Sequence, residues 1–267
     1  MQRQRRGFTL LELSIVIILV GLVAGMIMAG QELVRRQALH RMLEDASAYA
    51  SAIQMFQQQY AALPGDMATA TSVWGRADGG WPANSNCTDP TTAASNGKTT
   101  CNGDGNGVID ANNCENYRAW QQLAAANFII GYYTGISGVA ACAPNSVPDV
   151  NVPAGPIGKT AFSIASFGDG GTTYAPGQPN EYNNALIFGM VETNDYSIGP
   201  VLKTDDASEI DTKADDGNGF TGNIRAPLNT YNYARNCLDS TGVYLTTYTK
   251  QACSLIFLNS FLNHNNR

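Results

Sequence analysis

The sequence predicts an α+β protein. A long N-terminal α-helix, transmembrane and then amphipathic, packs on an antiparallel β-sheet with long disulfide-stapled loops. Three observations predict it. Phe8 to Gly30 is an apolar run of 23 residues. Beyond it, Leu39, Met42, Leu43, Ala46, Tyr49, Ala50, Ile53, Phe56, Tyr60 and Leu63 recur at three- and four-residue steps, the spacing of one helix face. From Leu63 onward the chain turns rich in Gly, Asn, Thr, Asp and Ala, with short β-prone runs and six cysteines.

In the apolar run only Glu12 can carry a side-chain charge, and charge in such a setting is expensive. At about 1.5 Å per residue the run reaches roughly 34 Å, enough to cross a bilayer. A secretory signal would have a shorter apolar core followed by a small-residue cleavage site. The length of this core predicts a retained helix. Arg3, Arg5 and Arg6 favour a cytoplasmic N-terminus, although Arg35, Arg36 and Arg41 beyond the other end weaken the asymmetry. Gly21 and Gly25 form a small-xxx-small pair that lets helices approach closely. The segment has no proline, and its glycines, Gly30 among them, are where the helix is expected to loosen. The amphipathic half carries Arg41, Glu44, Asp45, Gln54, Gln57 and Gln58 on its polar face, and Pro64-Gly65-Asp66 is expected to end it.

The basic leader, the Gly7-Phe8 junction and Glu12 in the fifth position after it together resemble the type IV prepilin family. That family includes type IV pilins and type II secretion pseudopilins. The resemblance implies a leader at 1–7, cut between Gly7 and Phe8 by prepilin peptidase, and N-methylation of Phe8. It implies a pilin-like fold with a transmembrane half-helix at 8–30, an amphipathic half at 31–62 and a globular domain at 63–267. The implied location is the inner membrane as a single-pass protein, its C-terminal domain periplasmic, then a periplasmic or cell-surface filament. Implied partners are homologous pilin or pseudopilin subunits, an inner-membrane assembly platform and the peptidase. For Glu12 it implies a partner, the Phe8 amine of a neighbouring subunit. Such a pair sets register better than it adds net stability, because removing one partner costs about 3–5 kcal/mol while an apolar pair does as well. The expected function is a structural subunit without catalysis, a pseudopilin or minor pilin. A major or adhesive pilin is the alternative within the family, and a membrane-anchored binding module or hydrolase the alternative outside it.

Removing the leader leaves 13 of the 16 basic residues against 22 acidic ones, so nucleic-acid binding by the bulk surface is disfavoured. Cys87, Cys101, Cys114, Cys142, Cys237 and Cys253 all lie in the part expected to be exported. An even count there implies disulfides and leaves their connectivity open. The resemblance implies a C-terminal loop closed by Cys237 and Cys253, which stand apart from the other four. For those four, Cys87–Cys101 with Cys114–Cys142 is the simplest choice. No pair has C-x-x-C spacing, and His40 and His264 lie far away, which argues against zinc.

Asn102-Gly103-Asp104-Gly105-Asn106-Gly107-Val108-Ile109-Asp110 resembles a calcium loop of the D-x-[DN]-x-[DN]-G type. The expected ligands are the side chains of Asn102, Asp104, Asn106 and Asp110 and the Val108 carbonyl, with Ile109 in the core. Asn stands at the first position, and Asn113 stands where a bidentate Glu is usual, with Glu115 nearby. So few carboxylates imply weak affinity. A second acidic cluster, Asp211, Asp215 and Asp216, lies at the end of a short helix expected from Thr204 as N-cap to about Lys213. Capping of backbone amides and solvation is its expected role, with cation binding the alternative. Three segments look like recurrent stretches of larger pilin-like proteins: Leu63-Pro64-Gly65-Asp66 with Trp74, Glu115 with Trp120-Gln121 and Gly131-Tyr132-Tyr133, and Ile210 to Gly222.

A helix is expected at 117–130, and strands at Thr160–Phe167 and Ala185–Glu192, with weaker ones at Val243–Thr247 and Leu255–Leu258. No catalytic set emerges: neither histidine lies beside a Ser or Cys nucleophile. Gly168-Asp169-Gly170-Gly171 lacks the Lys-Ser or Lys-Thr of a phosphate loop.

Overall fold

The computed structural model describes residues 9–82, 85–94, 98–139, 142–166, 184–227 and 236–258. Gly7, Phe8, the glycine-rich stretch at 168–171 and His264 lie outside them.

Helix α1 runs Leu10–Tyr60 without interruption. It passes straight through Gly21, Gly25 and Gly30, so the expected loosening does not occur. A Cβ at any of these glycines would meet no atom within 4 Å. The helix starts at Thr9, its N-cap, and stops at Ala61, which is left-handed (φ 51°) and donates its N–H to the Gln57 carbonyl. This stop precedes Pro64-Gly65-Asp66. The two halves differ as expected. Every leucine, isoleucine, valine and methionine from Leu10 to Val34 is exposed, whereas Met42, Ala46, Ile53 and Phe56 are buried.

The buried stripe meets a helix as well as the sheet. Tyr49 sets its ring edge-on against Trp120 and Phe162, with centroids 5.1 Å away in each case. Trp120 belongs to α3, Glu115–Ala125, and Phe162 to β1, Thr160–Ala165. Helix α3 is shorter at its C-terminal end than the spacing predicts. Asn127 turns left-handed (φ 61°), with Asn127 N–H bonded to the Ala124 carbonyl and Phe128 N–H to that of Leu123. That is a Schellman stop. A five-residue helix, α2 (Ala70–Trp74), follows α1 and was not anticipated; Trp74 stacks on Phe56.

Strands β1, β2 (Ala185–Met190), β6 (Leu255–Phe257) and β4 (Ile224–Arg225) form an antiparallel sheet in the order β1-β2-β6-β4. Phe162 opposes Phe188, and Leu186 opposes Phe257. Side chains alternate between the faces. Leu186, Phe188, Leu255 and Phe257 join α1 and α3 in the main core, while Ala185, Ile187 and Ile256 pack with Tyr196 and Ile198 behind the sheet. A second ladder pairs β3 (Leu202–Lys203) with β5 (Gln251–Cys253).

Two expectations are corrected here. Helix α4, Thr204–Ala214, has Lys203 as N-cap, because the Thr204 hydroxyl donates to the Tyr248 carbonyl at 2.8 Å instead of capping. Residues 243–247 form no strand. They close a turn in which the Asp239 carboxylate accepts from Thr241 and Val243 N–H groups, and a single bridge joins Leu238 to Tyr244. Helix α4 also touches α1 through an ion pair between Asp206 and Arg35.

Candidate functional site

The N-terminal end of α1 is a capping box. The Thr9 hydroxyl accepts from Glu12 N–H at 3.2 Å, and the Glu12 carboxylate accepts from Thr9 N–H at 2.8 Å and from its hydroxyl at 2.9 Å. Reciprocal bonding of this kind satisfies amides that the first turn leaves without carbonyl partners. The one acid of the apolar segment is thus held in the first turn of the helix, on an exposed surface, five positions past the expected processing junction.

A second group forms where three segments meet. After α1, Gly65 takes a left-handed φ of 88° and lies so close to the Glu115 carbonyl that any Cβ would overlap it. Its N–H donates to Gln122 Oε1 at 2.7 Å. This turn drives Asp66 beneath the 102–110 loop, where Gly105, Asn106 and Gly107 N–H groups donate to its carboxylate at 2.7, 3.1 and 2.9 Å. The loop closes its amides around an anion, as a backbone nest does. Glu115, the first residue of α3, is fully buried and accepts from Asp104 N–H at 2.9 Å. One carboxylate oxygen from each of Asp66, Asp104 and Glu115 lies within 4.8 Å of the others.

Asp104 is in this group. Asn102 spends its side-chain oxygen on Thr71 N–H (2.8 Å), and Asn106 spends its own on Val108 N–H (2.7 Å). The Asp110 N–H bonds Glu115 at 3.3 Å. Ile109 is buried as expected, and its N–H reaches Asn184 Oδ1 at 2.7 Å. Asn184, which also donates to the Gly107 carbonyl, fastens the loop to the start of β2; a lone asparagine in a loop gives no sequence signal. The segment Leu63–Asp66 and the one opening at Glu115 meet at this group.

Burial pushes the Glu115 carboxyl up to about 8 and the Asp66 carboxyl up to about 6, against the opposing pull of the amides that bond them. Three carboxylates this close, two of them dry, relieve their repulsion by taking up protons or a hard cation.

Asp211, Asp215 and Asp216 likewise bring one carboxylate oxygen each within 4.8 Å of the others, and each bonds neighbouring groups. Asp211 accepts from the Tyr244 hydroxyl at 2.9 Å and from Gly217 N–H at 3.2 Å. Asp215 accepts from Asn223 and Ile224 N–H, and Asp216 from Asn218 N–H and the Thr221 hydroxyl. The cysteines form three bonds, Cys87–Cys101, Cys114–Cys142 and Cys237–Cys253, the last anchoring β5.

Among protein families, the prokaryotic N-terminal methylation motif matches residues 2–28. Comparison with curated proteins and with solved structures finds no match.

Proposed function

We propose, from an N-terminus that carries the type IV prepilin-like signature, that this chain is a structural subunit of a type IV pilus or type II secretion filament. The observation that carries the reading is the unburied face of α1. From Leu10 to Val34 no apolar side chain is covered by the rest of the chain. Burying one such side chain is worth roughly 1.5–3 kcal/mol, so this segment requires a bilayer and then other helices like itself. Prepilin peptidase would cut at Gly7–Phe8, and the new Phe8 amine would be methylated. Glu12 would then pair with the Phe8 amine of a neighbouring subunit as the inner-membrane platform adds it to the filament.

The long loops favour a pseudopilin or minor pilin over a major pilin. Residues 75–114 carry the whole Cys87–Cys101 bond, the Cys114 end of a second and Asp104 of the acidic group, an elaboration suited to one specialised position. Filaments sheared from the producing cells test this choice. Quantitative mass spectrometry is expected to find the chain at a few per cent of the dominant subunit or less. Equal or greater abundance would make it the major pilin.

Calcium enters the same reading as the proposed ion of the Asp66, Asp104 and Glu115 group. The donors are all oxygens, as a hard cation requires, and an ion there would tie the 102–110 loop to α3.

A further inference from the structure

We propose that the Cys87–Cys101 disulfide is a thiol-exchange site, attacked at Cys87 and primed by Arg118, whose buried guanidinium receives the departing Cys101 thiolate.

Arg118 projects from the first turns of α3 and is fully buried. Its Nη2 donates to the Pro90 and Thr92 carbonyls at 3.1 and 2.6 Å and lies 3.2 Å from Cys101 Sγ. Among the described residues, its Nε and Nη1 have no hydrogen-bond partner. Among the described residues no carboxylate forms an ion pair with it; Asp89 attracts it only from a distance. An isolated cation in a dry interior is costly. The atom beside it that can become an anion is the Cys101 sulfur, and it does so on reduction. The bonded state thus keeps a cation without its counter-ion, and the open state supplies one.

Access has the complementary asymmetry. Cys101 is fully buried, as are the cysteines of the other two bonds, whereas Cys87 is partly exposed. An incoming thiolate therefore reaches Cys87. It forms a mixed disulfide there while the Cys87–Cys101 bond breaks and its electron pair passes to Cys101 Sγ. A cation beside a leaving sulfur lowers its basicity and speeds departure. The second thiol of a dithiol partner then attacks the mixed disulfide. Cys87 leaves as a thiolate and takes a proton from water, and the partner departs oxidised, so two electrons pass from the dithiol to the protein. Pro90 and Thr92, which hold Arg118, lie inside the loop that the bond closes. Among the described residues, no cationic side chain bonds a sulfur of Cys114–Cys142 or Cys237–Cys253.

The test uses the full chain in detergent micelles, exposed to low dithiothreitol at neutral pH, with timed quenching, alkylation and peptide mass analysis. Cys87–Cys101 is expected to open at least tenfold faster than either other bond, and with glutathione the trapped adduct is expected on Cys87. Arg118→Lys keeps most of this advantage and Arg118→Gln loses it, each compared at a temperature where its melting curve shows it folded. Three bonds opening at one rate, an adduct on Cys101, or an Arg118→Gln protein opening as fast as the wild type would each overturn the proposal. The wild-type ranking needs no variant and decides the exchange site even if Arg118→Gln fails to fold.

Discussion

Glu12→Ala is expected to leave membrane insertion and leader removal intact and to lower incorporation into filaments by two orders of magnitude or more. The magnitude follows from the partner it strands. An amine left unpaired among apolar helices costs about 3–5 kcal/mol, and each 1.4 kcal/mol is about tenfold in an equilibrium. The capping box supplies a competing explanation, since losing it weakens the first turn by about 1 kcal/mol. Glu12→Gln separates the two. Glutamine can fill the same capping position but carries no charge. If pairing sets register, Glu12→Gln assembles as poorly as Glu12→Ala. A Glu12→Gln chain that assembles normally would leave only the cap observed between Thr9 and Glu12 and remove the pairing.

The second large effect concerns pH. Unfolded Asp and Glu titrate near 3.9 and 4.3. In the folded protein burial raises Asp66 to about 6 and Glu115 to about 8, so the folded state binds more protons across this interval. The sign is then fixed: their contribution is fully present below about pH 4 and is lost as pH rises through 6 and then 8. Asp211, raised to about 6 chiefly by burial, adds in the same direction. On the acid side Asp78, held below the usual carboxylate range first by Arg76, gives stability that disappears as pH falls past 4. In EDTA, Tm is expected to peak near pH 5 and to fall on the order of 10 °C by pH 8.5. Glu115→Gln flattens that fall without moving the acid limb. A wild-type Tm constant from pH 5 to 8.5 would contradict the account of two dry carboxyls. Calcium is expected to restore Tm at pH 8.5 and to fail in Asp104→Ala. No calcium response in the wild type would leave protons as the only relief of the charge.

Long-period patterns were legible and short elements were not. The α1 stripe could be read because nine apolar positions from Leu39 to Tyr60 repeat over about six turns, and Met42, Ile53 and Phe56 are indeed in the core. Strands β1 and β2 could be read from continuous runs buried on both faces. The two-residue strands β3 and β4 carry no periodicity, and they exist because β5 and β6 lie beside them. The acidic group was half visible. A calcium-loop spacing draws attention to Asp104, but Asp66 lies some forty residues earlier in sequence and reaches the loop only because Gly65 permits the turn under α3. Thr204 has the composition of an N-cap, yet tertiary contact with Tyr248 gives its hydroxyl a different partner.

The most direct test of the filament reading is the intact mass of the chain, with its N-terminal peptide, isolated from its own membrane. The account predicts a chain beginning at N-methyl-Phe8 and lighter by six hydrogens than its reduced form, one pair for each of the three disulfides. A chain that still begins at Met1, or one cut beyond Gly30, would contradict it, because an uncut or absent apolar helix cannot enter a filament built from processed N-termini.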